Sequence, residues 1–405
     1  MPAIKHIQTM LGRVVRIANQ PSTITDERPI KAISARQGRF ELLPTPGCIT
    51  ASPFPIFGPH RFDLVMQRKL PARSIARIKN GLVHGHSTAT LTKRPADTIH
   101  WVMAPELALA NNPFNYARFF QAHDKGWQLE GNAVLTPTMT LDRAVLVGTR
   151  LSFNYFHFVT DLLVRLLIAE EQCVGDTAPL LVPALAPQLV ELLGLVAPHR
   201  AVLTMGPNDL VQVGELLVPS SADFSPDDAP GSKAAVFDAP YLPTLCERLS
   251  RICVPSAHSQ AKIAFIRRPD HYRGIVNQNE VVAFMESQGA AIIQPETMTM
   301  AAQINLFRQV EIVVGVAGAG LINSVFCRPG VSIIALCQNQ IVNPEYFAFV
   351  ADALTLHYSV VACEPVPGTH HQPSHLSVVA DIDALKQAMA WAREASSTGL
   401  VIQRA

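Results

Sequence analysis

The sequence lacks an excess of charge of either sign. Lys and Arg together number 33 and Asp and Glu number 32 in a chain of 405 residues, so the formal net charge is +1. A protein that binds nucleic acid or an anionic membrane through its overall charge carries a large basic excess. We therefore expect no nucleic-acid partner, and any anion site must come from a local cluster of basic residues.

Long apolar runs and paired cysteines are also missing. No segment reaches the roughly 18 uninterrupted apolar residues of a membrane span, and the first residues lack the apolar core of a secretion signal. The seven cysteines are an odd number without C-x-x-C spacing, which indicates reduced thiols in a cytoplasmic protein. Apolar residues on one helical face of 4–15 predict a helix docked on the core, and leave open peripheral association with the inner face of the membrane.

Several nucleotide-binding and catalytic signatures are absent. There is no G-x-S-x-G elbow of a serine hydrolase and no G-x-x-x-x-G-K-[ST] loop of a P-loop NTPase, so both classes are excluded. The dinucleotide fingerprint G-x-G-x-x-G is incomplete, because no third glycine follows Gly318-Ala319-Gly320. An NAD-dependent oxidoreductase is therefore only a third hypothesis.

Strands and helices alternate in the second half of the sequence. Predicted strands cover KIAFIRR, AAIIQ, EIVVGV, VSIIALC and HYSVVAC, and predicted helices cover VVAFMESQ, MAAQINLFRQV, LINSVFC, PEYFAFVADALTL and DIDALKQAMAWAREA. This alternation predicts a parallel sheet with helices on both faces. A looser alternation over 141–219 predicts a second unit of the same class, whereas residues 1–140 are predicted to be β-rich or irregular and have no assigned topology.

The predicted domain boundary lies in the segment SSADFSPDDAPGSKAA, residues 220–235. Its Ser, Asp, Pro and Gly content is typical of an exposed loop. We therefore predict an N-terminal domain over 1–235, which is Rossmann-like across 141–219, and a C-terminal Rossmann-like domain over 236–405.

The stretch VEIVVGVAGAGLINSVFCRPG, residues 310–330, indicates an anion site. An apolar strand ends in glycines and a helix follows, and the unpaired N–H groups at a helix start attract anions. Close packing of strand on helix is the alternative role for these glycines.

Three arginines follow the strand KIAFI at the same carboxyl edge of the predicted sheet, where α/β folds bind ligands, and their guanidinium groups match phosphate oxygens. These are Arg267, Arg268 and Arg273. A solvated basic loop is the alternative for the arginines alone, but both features together favour a phosphate site.

Two segments of the sequence contain histidines with a possible catalytic or metal-binding role. NYFHFVTD places Asn154, His157 and Asp161 on one helical face, and a histidine beside a carboxylate can act as a base. The alternatives are a helix N-cap at Asn154 and a buried core histidine. In GTHHQPSHL, three histidines stand in a polar loop without a cysteine or acidic ligand nearby, so no metal site is predicted there. Asp381-Ile382-Asp383 opens the last helix and is predicted to cap it.

Two parts of the sequence resemble a known family: NYFHFVTDLLVRLL and the block from FIRRPDHYRGIVNQNE to VSIIAL. The family is glycosyltransferase family 61, and the resemblance covers residues 140–360. The motifs that carry the resemblance are an arginine-rich block with R-x-I-x-N-x-x-E, in which one spacing residue differs here, the Pro295-Glu296 pair, and a G-x-x-G-A-G-L turn. The resemblance implies a GT-B fold, with two Rossmann-like domains facing a cleft. It also implies inverting transfer from a nucleotide sugar, usually a UDP-sugar, to a saccharide or glycoconjugate acceptor in polysaccharide biosynthesis. No cofactor and no obligatory metal are expected.

The resemblance also implies roles for individual residues. The N-terminal domain supplies the base, with His157 and Asp161 as candidates, and Glu296 accepts hydrogen bonds from the ribose. The N–H groups near Leu321 to Asn323 are expected to point at the diphosphate. The full predicted donor site comprises Arg267, Arg268, Arg273, Asn277, Glu296, Gly315, Gly318, Ala319, Gly320, Leu321 and Asn323.

The sequence departs from the family at one position of the glycine turn. The family turn reads His-Gly-Ala-Gly-Leu, and this chain has Ala317 in place of the histidine. Activity is then altered, moved to another residue or lost. A non-catalytic nucleotide-sugar-binding protein is therefore the second hypothesis, and the sequence does not predict the donor sugar, the linkage or the oligomeric state.

Overall fold

The computed structural model describes most of the chain, and its described residues fall into two compact units. The described residues are 16–17, 38–70, 72–85, 90–94, 98–102, 120–123, 126–129, 137–149, 151–173, 175–224, 236–252, 261–268, 273–338, 344–371 and 375–398. The first unit takes those within Met1–Gly47, Leu70–Pro230 and Ala234–Asp238, and the second takes those within Cys48–Lys69, Gly231–Lys233 and Ala239–Ala405.

Strands and helices are numbered here in chain order. The strands are β1 (Arg16–Ile17), β2 (Gly38–Leu42), β3 (Cys48–Thr50), β4 (Ile56–Phe57), β5 (Gln67–Lys69), β6 (Ser74–His84), β7 (Thr90–Arg94), β8 (Thr98–Val102), β9 (Phe120–His123), β10 (Gly126–Leu129), β11 (Met139–Leu146), β12 (Leu180–Pro183), β13 (Val202–Met205), β14 (Leu210–Pro219), β15 (Asp223–Phe224), β16 (Val236–Phe237), β17 (Ile263–Ile266), β18 (Ala290–Ile293), β19 (Ile312–Val316), β20 (Ser332–Gln338), β21 (His357–Pro365) and β22 (Val378–Val379). The helices are α1 (Tyr155–His157, continued by a π-helical turn Phe158–Leu162 and by Leu163–Gln172), α2 (Pro187–Val196), α3 (Leu242–Ile252), α4 (Gln278–Ser287), α5 (Met300–Phe307), α6 (Glu345–Leu354) and α7 (Ile382–Thr398).

A nine-stranded mixed sheet forms the first unit. Its order is β1-β8-β7-β6-β14-β11-β12-β13, with β2 also paired to β6. The strands β14, β11, β12 and β13 run parallel, and α1 and α2 connect β11 to β12 and β12 to β13. These two βαβ crossovers confirm the α/β pattern predicted over 141–219. The antiparallel strands β6, β7 and β8 account for the β-rich character predicted for the residues before 140.

The second unit is built on a mainly parallel sheet of order β18-β17-β19-β20-β21-β22. The five strands from β18 to β21 pair in parallel, and β22 is antiparallel to β21. Every residue of β20, SIIALCQ, is buried, as expected for a parallel strand with both faces covered. Side chains of α7 such as Leu385 and Met389 pack with Phe265 and Ile334 in one core cluster. The predicted alternation of strands and helices in this half is confirmed.

Residues 48–69 lie in the second unit, although the sequence assigned all of 1–235 to the N-terminal domain. The strand β4 pairs in parallel with β21, where Ile56 is opposite Val360. The Nη2 atom of Arg68 lies 2.9 Å from Oε1 of Glu345 at the start of α6, and both side chains are almost fully buried. A buried ion pair of this kind leaves an uncompensated charge when one partner is removed, so it ties this early segment to the second unit.

Two further expectations met a different outcome, and a third is not tested. The segment 220–235 is not an exposed loop at its start, because Ser220 and Ala222 are buried and Asp223–Phe224 is a strand paired with Val236–Phe237. The expected helix LINSVFC is a 3-10 helix, Ala319–Phe326. The expected N-terminal helix falls outside the described residues, apart from Arg16–Ile17, which pairs with β8.

The implied arrangement of two domains across a cleft stays a prediction. Among the described residues, no helix combines the length and the apolar composition needed to cross a bilayer.

Candidate functional site

The glycine turn of the second unit lies at the carboxyl end of β19. The 3-10 helix Ala319–Phe326 begins directly after it, with Gly318 at the N-cap position. The neighbouring strands β17 and β18 end beside it and continue into Arg267 and Gln294. The predicted arginine block, the Pro295-Glu296 pair and the glycine turn therefore meet at the carboxyl edge of three adjacent strands, where parallel sheets bind ligands.

Gly318 makes room for the guanidinium group of Arg268. A Cβ atom built at position 318 would lie 2.6 Å from Nη1 of Arg268, which is closer than real Cβ contacts allow. The backbone of Gly318 is extended, with φ 166° and ψ −173°, so the need for glycine comes from space and not from backbone strain. The structure thus brings Arg268 into contact with the glycine turn.

The other two glycines of the turn are less constrained. A Cβ at Gly315 would lie 3.2 Å from Cβ of Ile266 on the adjacent strand, which makes Gly315 a packing position. A Cβ at Gly320 would meet only Cγ2 of Ile266, at the ordinary distance of 3.4 Å. A side chain at Gly320 therefore has more room than one at Gly318.

The backbone amides available to an anion differ from those expected. The N–H of Leu321 donates to the carbonyl of Gly318 over 3.0 Å, as the first hydrogen bond of the 3-10 helix. The N–H groups of Ala319 and Gly320 precede that bond and are the orphan donors of the helix start. The amides that can meet a phosphate are thus those of Ala319 and Gly320, and not those of residues 321–323.

Arg267 and Arg273 occupy the same edge as Arg268. Arg267 is exposed, and its N–H donates to the carbonyl of Ile293 over 2.9 Å, which extends the β17–β18 ladder. Arg273 is a non-glycine residue with a positive φ of 57°. Its N–H donates to the carbonyl of His375 over 2.9 Å. Such a conformation costs a non-glycine residue about 1 kcal/mol or more and is concentrated at binding sites, which marks Arg273 as a functional candidate.

A buried amide network joins the glycine turn to the turn that carries Glu296. Nδ2 of Asn323 donates to Oε1 of Gln303 over 3.0 Å, and Nε2 of Gln303 donates to the carbonyl of Pro295 over 2.8 Å. Asn323 is fully buried, and Gln303 is 4% exposed. Glu296 is exposed in the 3-10 turn Pro295–Thr297. Asn323 was predicted to contact the donor, and the structure instead shows it holding the glycine turn and the Glu296 turn together.

Replacing Asn323 with leucine should destabilise the second unit by about 1–3 kcal/mol, because the buried Oε1 atom of Gln303 loses its donor. The measurement is the urea unfolding midpoint of the variant against wild type. The matched control is the double variant Asn323→Leu, Gln303→Met, which removes both polar partners and should recover part of the loss. A single variant as stable as wild type would show that the network contributes nothing to stability.

Asn277 also uses its side chain inside the protein. Its Nδ2 donates to the carbonyl of Ala380 over 2.9 Å, and its Oδ1 accepts from the N–H of Ala380 over 3.0 Å. Nδ2 also donates to Glu280 over 3.0 Å. Asn277 stands at the N-cap position of α4 without a side-chain capping bond, and its side chain instead anchors the chain at Ala380. The predicted cap at Asp381 is present, since its Oδ1 accepts from the N–H groups of Asp383 and Ala384.

In the first unit, α1 presents His157 to the short strand β15. Nδ1 of His157 lies 2.6 Å from Oδ2 of Asp223, and the same carboxylate oxygen accepts from the hydroxyl of Thr160 over 3.1 Å. The side chain of Asp223 is 8% exposed and that of His157 is 29% exposed. Because Nδ1 faces the carboxylate, Nε2 is the ring atom that can accept a proton from a substrate hydroxyl.

The environment of His157 suits a base. Burial lowers the pKa of the imidazole, and the carboxylate of Asp223, with a smaller contribution from Asp161, more than offsets that effect. The net pKa of His157 is raised above its ordinary value of 6.5. A carboxylate that orients a histidine and stabilises its protonated form is a recurrent arrangement for general-base catalysis.

Asp161 has a different role from His157. It is 3% exposed, and its Oδ1 accepts from the N–H of Ala222 over 2.7 Å and from the hydroxyl of Ser221 over 3.2 Å. Burial raises the pKa of Asp161, although Arg165 and the Ala222 amide act to lower it. Its hydrogen bonds fix the segment that delivers Asp223, so Asp161 is a positioning residue and is not placed to contact an acceptor.

Asn154 and Ala317 complete the positions singled out in the sequence. Oδ1 of Asn154 accepts from the N–H of Phe156 over 3.0 Å, which confirms a helix N-cap. Ala317 is 1% exposed, and its N–H donates to the carbonyl of Leu336 over 2.9 Å. Within the described ranges, no group of three or more His, Cys, Asp or Glu side chains is placed to hold a metal ion.

Two residues of the site were not predicted from the sequence. Asp223 lies in the segment that was taken for an exposed loop, and no local pattern distinguishes it from Asp227 or Asp228. Gln303 lies on the predicted helix MAAQINLFRQV, where its polar side chain among apolar neighbours was the only available signal. Both residues act through partners that are distant in sequence.

Comparison with known proteins gives one match by sequence. Residues 155–334 match the sequence model of a family described as Glycosyltransferase 61. This stretch includes His157, the arginine block and the glycine turn, and it confirms the resemblance over those residues. A search of curated proteins found no match.

Two solved glycosyltransferases are similar in structure at a low level. A bacterial iron-containing dodecameric glycosyltransferase, TibC from enterotoxigenic E. coli, matches with 10% identity over 71% of this chain and 81% of its own, at a TM-score of 0.27. The E. coli heptosyltransferase WaaC with ADP matches with 9% identity over 64% of this chain and 100% of its own, at a TM-score of 0.29. At these scores the likeness supports no inference about this chain.

Proposed function

We propose, from the match of residues 155–334 to the sequence model of the family Glycosyltransferase 61, that the chain transfers a sugar from a nucleotide-sugar donor to a hydroxyl of a saccharide or glycoconjugate, with inversion at the anomeric carbon. The family supports the reaction class. The described residues support an assignment of roles within each unit.

The donor role is assigned to the second unit. The observation that carries it is the contact of the Arg268 guanidinium with Gly318 at the end of β19, beside the N–H groups of Ala319 and Gly320. Guanidinium and amide N–H groups both donate to phosphate oxygens, and Arg273 adds a second fixed positive charge at the same edge. These groups would hold the diphosphate and stabilise its negative charge as it leaves, without a metal ion. Glu296, after β18, would accept hydrogen bonds from the ribose hydroxyls.

The base role is assigned to His157 of the first unit. Nε2 would take the proton of the acceptor hydroxyl while the hydroxyl oxygen forms its bond to the anomeric carbon. The bond from that carbon to the diphosphate oxygen breaks on the opposite face, and the electron pair leaves with the diphosphate. Asp223 would stabilise the imidazolium that forms, and the attack from the opposite face accounts for inversion.

A second candidate function is binding of a nucleotide sugar without transfer. The observation that favours it is Ala317, which stands where the family turn carries a histidine and is buried. The two functions share the donor site and differ at His157. Loss of transfer or hydrolysis in a His157→Ala variant would support the enzyme.

The proposal extends to the donor class, the pathway and the location. UDP-linked sugars and a role in polysaccharide biosynthesis rest on the family alone. A cytoplasmic location, including the inner face of the membrane, is supported by the free thiols of the described cysteines, of which Cys173, Cys327, Cys337 and Cys363 are buried. Burial raises the pKa of the Cys363 thiol to about 12, as expected of an inert reduced thiol.

A thermal-shift panel of nucleotide sugars tests the proposal. A ligand present at a hundred times its Kd should raise the thermal unfolding midpoint of the second unit by about 5–10 °C, and we expect UDP-linked donors to give the largest rise. The panel should include GDP-, ADP- and CMP-linked sugars and NAD. A larger rise with NAD than with any nucleotide sugar would contradict the proposal and favour an oxidoreductase, and an equal response to all nucleotides would remove the support for UDP.

A further inference from the structure

Three histidines cluster in the chain between β21 and β22, in the second unit. The rings of His370 and His371 stack with centroids 4.2 Å apart, and the ring of His375 stands edge-on to His370 at 4.9 Å. His370 and His375 are half-buried, and His371 is exposed. The sequence predicts no metal site here, because the loop lacks a cysteine or acidic ligand nearby.

This histidine cluster adjoins the proposed diphosphate site. The carbonyl of His375 accepts from the N–H of Arg273 over 2.9 Å, so the two backbones are in direct contact. Arg268, whose guanidinium lies against Gly318, is close enough to act electrostatically on His375. Arg268 therefore lies within reach of both the glycine turn and the histidine cluster.

Among the described residues, the charged and titratable neighbours that lower the pKa of His375 are basic. They are Arg273, Arg268 and the imidazoles of His370 and His371. Burial lowers the pKa of His375, and these basic neighbours lower it further. Without a ligand, the ring is therefore held neutral at pH 7. A bound diphosphate would bring the negative charge that reverses this effect, because a nearby opposite charge favours the protonated form.

We propose that His370, His371 and His375 form a proton-coupled phosphate subsite, in which binding of the donor diphosphate is accompanied by uptake of a proton from solvent onto the cluster. The inference rests on the proposed function, because its ligand is the nucleotide sugar. The fixed charges of Arg268 and Arg273 would attract the diphosphate at any pH. Protonation of His375 would add to this charge when the diphosphate is bound.

The sign of the pH effect follows from the two states. The pKa of His375 is lowered in the free protein and would be raised in the complex, so affinity for the diphosphate grows as pH falls between the two values. Above the bound-state pKa and below the free-state pKa, the affinity is constant. Uptake of one full proton limits the change to about tenfold per pH unit.

The test is isothermal titration of UDP-glucose, ADP-glucose and GDP-mannose between pH 5.5 and 8.5. These sugar diphosphate diesters do not gain or lose a phosphate proton in this range, so a change in Kd reports on the protein. The nucleotide sugar that binds most tightly is then titrated at pH 6.5 in two buffers of different ionisation enthalpy. The difference in the heat of binding gives the number of protons taken up. We expect the Kd to fall by about tenfold from pH 8 to pH 6, with net proton uptake.

The variant His370→Gln, His371→Gln, His375→Gln should lose most of this slope. Its Kd should stay within about twofold of wild type at pH 8 and be weaker by about tenfold at pH 6. His199→Gln, in the first unit, is the matched control and should keep the wild-type slope. Affinity of wild type that does not change with pH, or an unchanged slope in the triple variant, would overturn this inference and leave the proposed function intact. Failure of all three nucleotide sugars to bind at any pH would instead overturn the proposed function, and this inference with it.

Discussion

Replacing Gly318 with alanine should lower the affinity of the protein for UDP by about tenfold to a hundredfold without unfolding it. The added Cβ would lie 2.6 Å from Nη1 of Arg268, and this guanidinium is the only group it meets closely among those described. Because the guanidinium is the end of a flexible side chain, it moves and the backbone stays. A charge-assisted hydrogen bond to phosphate contributes about 1.5–3 kcal/mol, which sets the size of the loss. Isothermal titration of UDP at pH 7.5 measures it.

Gly320→Ala is the matched control for this change. Its Cβ would meet only Cγ2 of Ile266, at 3.4 Å, so UDP affinity should stay within about twofold of wild type. Adding Gly318→Ala to an Arg268→Ala variant should cost nothing further, because the group it displaces is already gone. A further loss of UDP affinity in that double variant would show that Gly318 affects phosphate binding independently of Arg268. Equal losses in Gly318→Ala and Gly320→Ala would show the same.

Replacing His157 with alanine should lower the rate of sugar transfer by about a hundredfold to ten-thousandfold, the usual contribution of a general base. Affinity for UDP should be unchanged, since the proposed diphosphate groups all belong to the second unit. The transfer rate is measured as release of nucleoside diphosphate in the presence of acceptor. UDP affinity is measured separately by titration. The matched control is His199→Ala, because Nε2 of His199 also lies near a carboxylate, 3.3 Å from Oε1 of Glu170, but its side chain is 52% exposed. Wild-type activity in His157→Ala would remove this residue from the mechanism.

The pH profile separates the base from its partner Asp223. His157 must be neutral to accept a proton, so the rate falls as pH drops through its pKa, and the acid limb of kcat/KM should have its midpoint above 6.5. Asp223→Asn removes the carboxylate that raises this pKa and leaves burial, which lowers it. The acid limb should then move to lower pH while the maximal rate falls, because the ring loses the partner that orients it. An acid limb that does not move would assign the titration to another group.

The sequence predicted β19 and β20 closely because each is a short, buried run rich in β-branched residues between turn signals. EIVVGV became β19 and VSIIALC became β20, with bounds within two residues of those expected. Residues 48–69 were placed in the wrong unit for a physical reason. The pairing of Ile56 with Val360 and of Arg68 with Glu345 is fixed by contacts across nearly three hundred residues, and no local pattern reports such contacts.

For the candidate site, the sequence predicted at which edge of the sheet the residues lie, but not which side chains contact one another. The arginine block and the glycine turn meet as expected, since the ends of adjacent parallel strands must lie side by side. Which arginine meets which glycine depends on a side chain of four rotatable bonds, and it is Arg268 that lies against Gly318. The partner of His157 was missed because Asp223 is 66 residues away, in a segment whose composition is typical of a loop.

The early position of residues 48–69 in the chain also governs when the second unit can be completed during synthesis. The N–H of Ser52 and the carboxylate of Asp352, which it contacts, are 300 residues apart. At translation rates of about 5–20 residues per second, this segment leaves the ribosome roughly 15–60 seconds before its partners exist. Throughout that interval, β4 lacks its partner strand β21, and the carboxylate of Glu345 that pairs with Arg68 has not yet been synthesised. A fragment that begins at Ala239 would lack both β4 and Arg68, so the second unit can be produced on its own only if the segment Cys48–Lys69 is supplied with it.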